Sequence, residues 1–541
     1  MISKWIKNTS ISNINFDERV DFLKKIYEKQ IYLINKIEID VYLYEYLFNY
    51  NFYKLDYIHK NSLDYIVYLY KKYNFLDFYD IKYILFILAA SGELKLFEFY
   101  LNLYNFENKE DNEIIKKLYL VSIMYDNIEV FLFLKEKANL EYIGKHNDHV
   151  FLFAAEYGSI KIINWFIKNN IDVNIKNDVN ETAVLKASIN NKLDLLYFLI
   201  KKEADINLKD SYNNSAIIFS VKFGYTNIVK LLLENNADVN IKNKDGDTAL
   251  IIAARNGNSK IVEMLLEKEP NLNEKDKNLN TPLMHAVKNG YSKIVKLLLN
   301  KGANVNEKNI DGKTALIIAA ENGHKDIVEL LLNYEKKVNE KNKKDDKTDK
   351  NKKVNVDEKD KKGNTALMYA AEKGHVEIVK KLLEKKAEVN EKDINGYTAL
   401  MNAAIKGYTE IVKLLLEYGA NINEKNDNGG TALIYAARNN KKDVIELLLN
   451  YEKYVNKKNK KDNETNKNKK LNINDKDNDG FTALMYAARA GNKEIVKLLL
   501  DKGAKVDVGE GKTAIHVASD NEIKEILINA LNEQNKNKYK S

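Results

Sequence analysis

Cysteine is absent from the chain of 541 residues. Disulfide bonds, thiolate metal sites and cysteine nucleophiles are therefore excluded, and the absence fits a reducing compartment. The sequence also lacks an apolar run long enough to span a membrane, and its N-terminus lacks the apolar core of a secretory signal. We therefore expect a soluble chain in the cytoplasm or another intracellular compartment.

Neither sign of charge dominates the sequence. The chain has 86 Lys and Arg against 78 Asp and Glu, so its formal net charge of +8 is a small excess in a dense mixture. Lysine and glutamate alternate closely, as in LLEKKAEVNEKD at residues 382–393. Nucleic-acid-binding proteins usually gather their basic residues on one face. The pattern therefore favours a solvated surface of mixed charge over a nucleic-acid footprint.

Residues that could carry catalysis are also scarce. Histidine occurs seven times, and no histidine recurs at catalytic spacing from a nucleophile. His146 and His149 form an H-x-x-H pair, but a zinc site needs at least a third ligand and none is near. We predict that the chain is not an enzyme and that it holds no metal and no cofactor.

What the sequence does contain is a repeat. The hydroxyl residue of each T-A-L-like triplet, here termed the anchor, recurs every 33 residues along most of the chain. Two steps, 314 to 365 and 431 to 482, are 51 residues long, and the last step is 31. Each repeat is named here by its anchor. The anchors are Thr182, Ser215, Thr248, Thr281, Thr314, Thr365, Thr398, Thr431, Thr482 and Thr513.

The unit at residues 245–269 shows why its residue types recur. Gly246 suits a tight turn, and the hydroxyl of Thr248 can cap the helix that follows. Ala253 and the alanine after it allow two helices to approach closely, and Gly257 ends the first helix in the left-handed conformation. The segment SKIVEMLL then has the apolar spacing of a second helix with one buried face.

These units closely resemble the ankyrin repeat, as DGKTALIIAAENGHKDIVELLL (311–332) and NGYTALMNAAIKGYTEIVKLLLEYGANIN (395–423) illustrate. The resemblance implies an all-α solenoid of helix-turn-helix units with β-hairpin connections, and we expect it to be monomeric. The chain departs from the family pattern at the histidine three residues after the anchor, which returns only as His516. Apolar packing should replace the usual threonine–histidine link in the other repeats.

The ends of the repeat array and two insertions, one in each 51-residue step, define the predicted regions of the chain. Each insertion consists almost entirely of Lys, Asn, Asp and Glu, which bury too little apolar surface to fold alone, so we expect mobile extensions. The predicted regions are a divergent helical N-terminal cap (1–80), degenerate ankyrin-like repeats (81–148), the repeat array (149–530) with insertions at about 336–357 and 453–474, and a basic tail (531–541).

The segment GEGKTA at residues 509–514 superficially resembles a phosphate-binding loop. Such a loop needs a glycine five positions before its second glycine, and Val506 occupies that position. Thr513 is also in register with the helix-capping anchors of the other repeats. We therefore interpret this segment as a repeat corner.

The resemblance implies a partner protein held by the hairpin tips and the exposed side of the first helices. At matching positions these are the residue before each anchor and the two residues after each alanine pair. Aromatic residues and arginines are enriched at binding hot spots, so we expect the main contact between about residues 395 and 490. The candidates are Asp247, Arg255, Lys288, Lys313, Glu321, Glu372, Tyr397, Ile405, Lys406, Arg438, Phe481 and Arg489.

Alternatives remain open at this point. Tyr397 and Phe481 could instead pack sideways on neighbouring hairpins. The lysine-rich insertions leave nucleic-acid or anionic-surface binding as a rival to a protein-binding scaffold, and the family resemblance also allows an effector directed at a host cell. The identity of the partner cannot be read from these residues.

Overall fold

The computed structural model describes residues 80–92, 94–103, 109–137, 147–334, 353–458, 470–507, 511 and 513–538. The chain divides into two compact units, 1–141 and 142–541. Apart from its last residue, the predicted N-terminal cap lies outside the described residues. Among the described helices, none combines the length and the apolar character needed to span a bilayer.

The described part of the first unit consists of two successive helix pairs, in the region predicted as degenerate repeats. Phe97, Leu118 and Phe131 are buried in it, and the Tyr119 ring stacks on Phe131 with centroids 4.9 Å apart. Burial raises the pKa of the Tyr119 hydroxyl well above its ordinary value. The helices are α1 (Asp80–Ser91), α2 (Leu94–Leu103), α3 (Lys109–Met124) and α4 (Ile128–Lys137).

The second unit is a row of helix pairs, one pair for each repeat, which confirms the predicted all-α repeat solenoid. The first helices are α5 (Asn147–Tyr157), α7 (Ala183–Ile189), α9 (Ala216–Lys222), α11 (Ala249–Asn256), α13 (Pro282–Lys288), α15 (Ala315–Glu321), α17 (Ala366–Lys373), α19 (Ala399–Lys406), α21 (Ala432–Arg438), α23 (Ala483–Arg489) and α25 (Ala514–Val517). The second helices are α6 (Ile160–Lys168), α8 (Leu193–Lys201), α10 (Thr226–Glu234), α12 (Ser259–Leu266), α14 (Ser292–Asn300), α16 (Lys325–Leu332), α18 (Val376–Glu384), α20 (Thr409–Glu417), α22 (Lys442–Lys458), α24 (Lys493–Asp501) and α26 (Asn521–Lys538).

The anchor determines where each first helix begins. Thr248 Oγ1 accepts a hydrogen bond from the amide of Ile251 at 3.2 Å, and the anchors of seven other repeats cap their helices in the same way. Gly257 ends α11 with a φ of 80°, as predicted. At the one repeat that keeps the family histidine, the Thr513 hydroxyl lies 2.9 Å from His516 Nδ1. In the Thr248 repeat Ile251 is buried instead.

Each first helix from α7 to α23 packs against the first helices of both neighbouring repeats and against the second helix of its own repeat. Small residues make this close approach possible, because Ala253 and Ala254 are fully buried between helices. The second helices bury a stripe of Ile, Val and Leu against this row, as Ile294 and Leu298 do in α14. The array therefore has one continuous core that passes from repeat to repeat.

The connections predicted as β-hairpins are tight turns, and no residue that the structure describes is assigned to a β-strand. In the Thr248 repeat, the amide of Gly246 donates to the carbonyl of Asn243 at 2.9 Å. Neighbouring turns are joined to one another, since the Lys277 amide donates to the Asp245 carbonyl at 2.9 Å. An equivalent bond links every neighbouring pair of turns from the Thr182 repeat to the Thr482 repeat.

A second set of hydrogen bonds involves the A-x-V-N segment that closes most repeats, as in ADVN at residues 237–240 and ANVN at residues 303–306. The side chain of Asn240 accepts a hydrogen bond from the amide of Asn271 in the next repeat at 3.0 Å, and Asn273 accepts from Asn304 at 2.9 Å. Equivalent bonds occur at the other steps of the array, with Asp357 in place of asparagine once. Each asparagine therefore tethers the loop of the following repeat.

The alternation of lysine and glutamate also has a structural role. Lys275 pairs with Glu307 of the next repeat at 2.7 Å, and Lys392 pairs with Glu424 at 2.6 Å. The Lys392 ammonium also donates to the carbonyl of Lys425 at 3.0 Å. A single exposed ion pair stabilises a fold little. Here the ion pairs form a ladder along one edge of the stack, and the lysines in the ladder are paired with glutamates of the next repeat.

The two insertions leave the register of the stack intact. Across the first insertion the Lys361 amide still donates to the Asp311 carbonyl at 2.9 Å, and across the second the Asn478 amide donates to the Asn428 carbonyl at 2.9 Å. The first residues of the insertion predicted at 453–474 continue α22 as far as Lys458. Residues 335–352 and 459–469 lie outside the described residues.

Two glycine substitutions can distinguish the contribution of the contact between neighbouring turns to stability from the effect of backbone strain alone. Gly396 and Gly419 both have positive φ, so alanine costs about 1–2 kcal/mol of local strain at either position. A Cβ at position 396 would also lie 2.8 Å from the amide nitrogen of Asp427 in the next turn, whereas one at 419 would meet nothing within 4 Å. We expect Gly396→Ala to lower the midpoint of thermal unfolding more than Gly419→Ala.

Hydrogen exchange measured by mass spectrometry locates the effect. Gly396→Ala should accelerate exchange in the Thr398 and Thr431 repeats, because their turns must move apart, while Gly419→Ala should leave the Thr431 repeat as in the parent chain. Equal effects of the two substitutions would contradict a structural role for the bond between turns.

Candidate functional site

The candidate residues lie on the exposed side of the first helices and on the turns that precede them. Counted from each anchor, they occupy positions −1, +7 and +8. Position +4 lies one turn earlier on the same side of the helix and belongs to this surface, although the sequence interpretation missed it. These four positions in all repeats are termed the first-helix face. In the repeats from Thr182 to Thr482 its +4 residues are Lys186, Phe219, Ile252, His285, Ile318, Tyr369, Asn402, Tyr435 and Tyr486.

In the Thr248 repeat the charged residues of the face are bound to one another, and two residues of the Thr281 repeat join them. Asp247 is buried, and both of its carboxylate oxygens accept hydrogen bonds from Arg255. Asp276 lies 3.6 Å from the Arg255 guanidinium and accepts a hydrogen bond from His285 Nε2 at 2.8 Å. Two predicted binding residues, Asp247 and Arg255, are therefore part of an internal network that joins two repeats.

This network shifts the pKa of each of three members. Hydrogen bonds to Asp247 raise the pKa of Arg255 further above its ordinary value. Burial lowers the pKa of His285, and the charge of Arg255 acts in the same direction. Burial alone would raise the pKa of Asp276, but hydrogen bonds from the Asn280 amide and from His285 hold it below its ordinary value. His285 is therefore neutral at pH 7 and donates its Nε2 proton to Asp276.

The Thr314 and Thr365 repeats also pair their charges internally. The Lys313 ammonium donates to both carboxylate oxygens of Glu321, at 2.8 and 2.7 Å, and lies 4.5 Å from the centroid of the Tyr369 ring. Glu372 pairs with its neighbour Lys373 at 3.3 Å. Lys288 is exposed on the neighbouring Thr281 repeat.

Aromatic residues replace these ion pairs toward the C-terminal repeats. The hydroxyl groups of Tyr397 and Tyr435 are 3.0 Å apart, and Asn426 donates to the Tyr435 hydroxyl at 2.7 Å. Tyr397 therefore packs on the next repeat, which was the alternative considered for it, yet it is still half-exposed. Ile405 is half-exposed beside it on the face, and Lys406 is exposed.

Phe481 is buried, so the expectation of an exposed aromatic residue at this position is wrong. Its side chain is only 9% accessible because it packs against the ring of Tyr486, with centroids 5.2 Å apart. Asp477 directs this arrangement, since it accepts hydrogen bonds from the Phe481 amide at 2.8 Å and from the Tyr486 hydroxyl at 2.7 Å. Burial and the Asp477 bond raise the pKa of Tyr486 to about 12.

Arg438 and Arg489 are exposed and lie over these rings. The Arg438 guanidinium is 5.6 Å from the centroid of Tyr486 in the next repeat, and the Arg489 guanidinium is 5.8 Å from the centroid of Phe481. Both distances are within the range of cation–π attraction. In the part of the chain that the structure describes, neither guanidinium has an acidic partner.

Two groups of apolar residues were missed by the sequence interpretation. Near the start of the array, Phe219 and Phe223 stack at 6.5 Å on the first-helix face, and Phe223 is 47% exposed. On the turns, Tyr212 is 64% exposed and Ile394 is 65% exposed. Tyr212 and Ile394 lie three and four residues before their anchors, and this position on the turn is the signal that could have identified them.

Comparison with known proteins supports the repeat assignment. A family model described as ankyrin repeats (3 copies) matches residues 151–243, 236–309, 277–345, 303–393, 388–462 and 461–539. A search of curated proteins returns no significant match.

The depressed pKa of His285 leads to a pH prediction. Ring-proton NMR should show that His285 titrates with a midpoint below the ordinary value of about 6.5, and His285→Gln should remove that resonance. Because the unfolded chain takes up this proton first, the contribution of His285 to stability is present above pH ~6.5 and is lost as pH falls, by at most about 1.4 kcal/mol per pH unit. A midpoint at or above the ordinary value would contradict the network.

Proposed function

Because the chain belongs to the ankyrin-repeat family, we propose that it is a non-catalytic scaffold that holds a partner protein on its first-helix face. Ankyrin repeats generally mediate interactions between proteins, and the family is typical of binding proteins without catalytic activity. The proposal places the main contact on the Thr398, Thr431 and Thr482 repeats, which are termed here the C-terminal segment of the face.

One observation carries this proposal: the C-terminal segment combines apolar, aromatic and arginine side chains on neighbouring repeats. Tyr397, Ile405 and Tyr486 are half-exposed, and Arg438 and Arg489 are exposed. Tyrosine and arginine are enriched among the residues that contribute most to protein interfaces. In the Thr248 and Thr314 repeats, by contrast, the predicted binding residues form ion pairs with one another, Asp247 with Arg255 and Lys313 with Glu321.

The segment is also held in place before a partner arrives. The half-exposed Tyr397 is held by the buried Tyr435, which Asn426 fixes in turn, and the half-exposed Tyr486 is fixed by Asp477. Ordering a mobile side chain on binding costs about 0.5–1.5 kcal/mol, and side chains that are already ordered avoid much of this cost. Rigid tyrosines therefore support a binding role over a solvated surface.

The rival function, nucleic-acid binding through the lysine-rich insertions, depends largely on residues 335–352 and 459–469, which lie outside the described residues. The described lysines in the ladder along one edge of the stack, such as Lys275, Lys308 and Lys359, pair with glutamates of the next repeat.

The predicted domain boundaries also stay proposals. We retain residues 81–148 as degenerate repeats and the insertions as solvated extensions of the array.

Site-specific photo-cross-linking tests this function. We expect benzoylphenylalanine in place of Ile405 to give a covalent adduct with a partner protein, because this half-exposed position lies on the C-terminal segment in the same repeat as Tyr397. The same group in place of Tyr418 is the matched control, because Tyr418 is exposed at the end of the second helix of the same repeat. Adducts are read by mass spectrometry after affinity purification of the full-length chain.

Adding Tyr397→Ala to the cross-linking variant should abolish the adduct while the helical circular dichroism signal is kept. Adducts of equal yield from both positions, or an adduct that is insensitive to Tyr397→Ala, would show that the partner binds elsewhere.

A further inference from the structure

The charge on the first-helix face is divided unevenly between repeats. At positions −1, +4, +7 and +8 the Thr248, Thr314 and Thr365 repeats contain Asp247, Glu321 and Glu372. The same positions in the three repeats of the C-terminal segment contain no acidic residue. They contain Lys406, Arg438 and Arg489 instead. The segment is thus cationic although the array as a whole is finely mixed in charge.

The two arginines differ from Arg255 in how they are bound. Arg255 occupies the same +7 position, but its guanidinium is engaged by the buried Asp247 carboxylate. Arg438 and Arg489 lie over aromatic rings, and in the described part of the chain they have neither an ion-pair nor a hydrogen-bond partner. Asp427 and Asp479 lie on the turns of these repeats and are not paired with the arginines.

From these observations we infer that the C-terminal segment recognises an extended acidic segment of a partner protein, with carboxylates that pair with Arg438 and Arg489. The inference rests on the proposed protein-binding function and adds the chemistry of the partner. A guanidinium presents its donors in a fork that matches a carboxylate, and charge-assisted bonds of this kind are stronger than neutral ones. The ring beneath each guanidinium limits its motion and leaves its donors open.

The spacing of the arginines defines the spacing of the carboxylates. Both arginines occupy position +7 of neighbouring first helices, which pack at about 8–10 Å. An extended peptide in the polyproline II conformation has three residues per turn and advances about 3.1 Å per residue, so acidic residues three positions apart lie on one face and match this distance. Tyr397 and Ile405, on the preceding repeat, provide apolar contact for a residue at one end of the same peptide.

Binding of designed peptides tests the inference. The probe is a fluorescein-labelled peptide of nine residues with glutamate at every third position and leucine and glycine between. We expect it to bind the full-length chain in a fluorescence anisotropy titration. The same peptide with glutamine in place of glutamate should bind at least tenfold more weakly, and added salt should weaken binding of the glutamate peptide.

Charge-matched variants identify the site. R438Q combined with R489Q should reduce affinity for the glutamate peptide to that of the glutamine peptide. K413Q combined with K497Q removes the same charge from exposed positions on the second helices and should leave affinity unchanged. Arginine-to-lysine replacement at both sites should restore only part of the affinity, because lysine keeps the charge and loses the fork. Circular dichroism confirms that each variant is folded.

The outcomes separate this inference from the proposed function. If glutamate and glutamine peptides bind alike, or if K413Q with K497Q is as harmful as R438Q with R489Q, the acidic-segment inference is wrong even when the Ile405 cross-link is observed. If the arginine variants retain peptide binding but lose binding to anionic phospholipid vesicles or to single-stranded RNA, the segment serves a different class of macromolecule. If the peptide binds as expected and the cross-link is absent, the chemistry is right and the placement of the partner is wrong.

Discussion

Register between consecutive repeats is the constraint on which the rest of the structure depends. Each repeat is short, and its helices bury their apolar residues against one another and against the helix pairs of the neighbouring repeats. The register is maintained by a main-chain bond between neighbouring turns, such as Lys277 to Asp245, and by an asparagine side chain that reaches the next loop, such as Asn240 to Asn271. Because both bonds recur across the insertions, the first helices form one uninterrupted row.

This regularity allows the surface to vary without affecting the core. The capping threonines and buried alanines are the same in nearly every repeat, whereas positions −1, +4, +7 and +8 change freely. In the Thr248 and Thr281 repeats these positions form a closed network around Arg255 and Asp276. In the Thr431 and Thr482 repeats they leave Arg438 and Arg489 over aromatic rings with their donors open. The proposed contact is therefore placed on the repeats whose polar groups are not already satisfied.

The sequence was sufficient to predict the repeat, the capping role of Thr248 and the helix end at Gly257, because these follow from local backbone chemistry. It was not sufficient for the face. Phe481 was expected to be exposed at a turn, but Asp477 bonds to its amide and to the Tyr486 hydroxyl, which directs the phenyl ring onto Tyr486. Pairing of Asp247 with Arg255, eight residues apart, depends on how the turn folds back on the helix, which residue spacing alone does not reveal.

The central claim, that the stack continues unbroken past an insertion, can be measured directly because the chain has no native cysteine. Spin labels on cysteines introduced at Lys296 and Lys380 span two repeat steps that include the first insertion, and labels at Lys380 and Glu446 span two steps without one. Electron paramagnetic resonance should give narrow distributions at about the same distance, near 20 Å, for both pairs. A longer or broader distribution for the first pair alone would show that the insertion separates the array into independent parts.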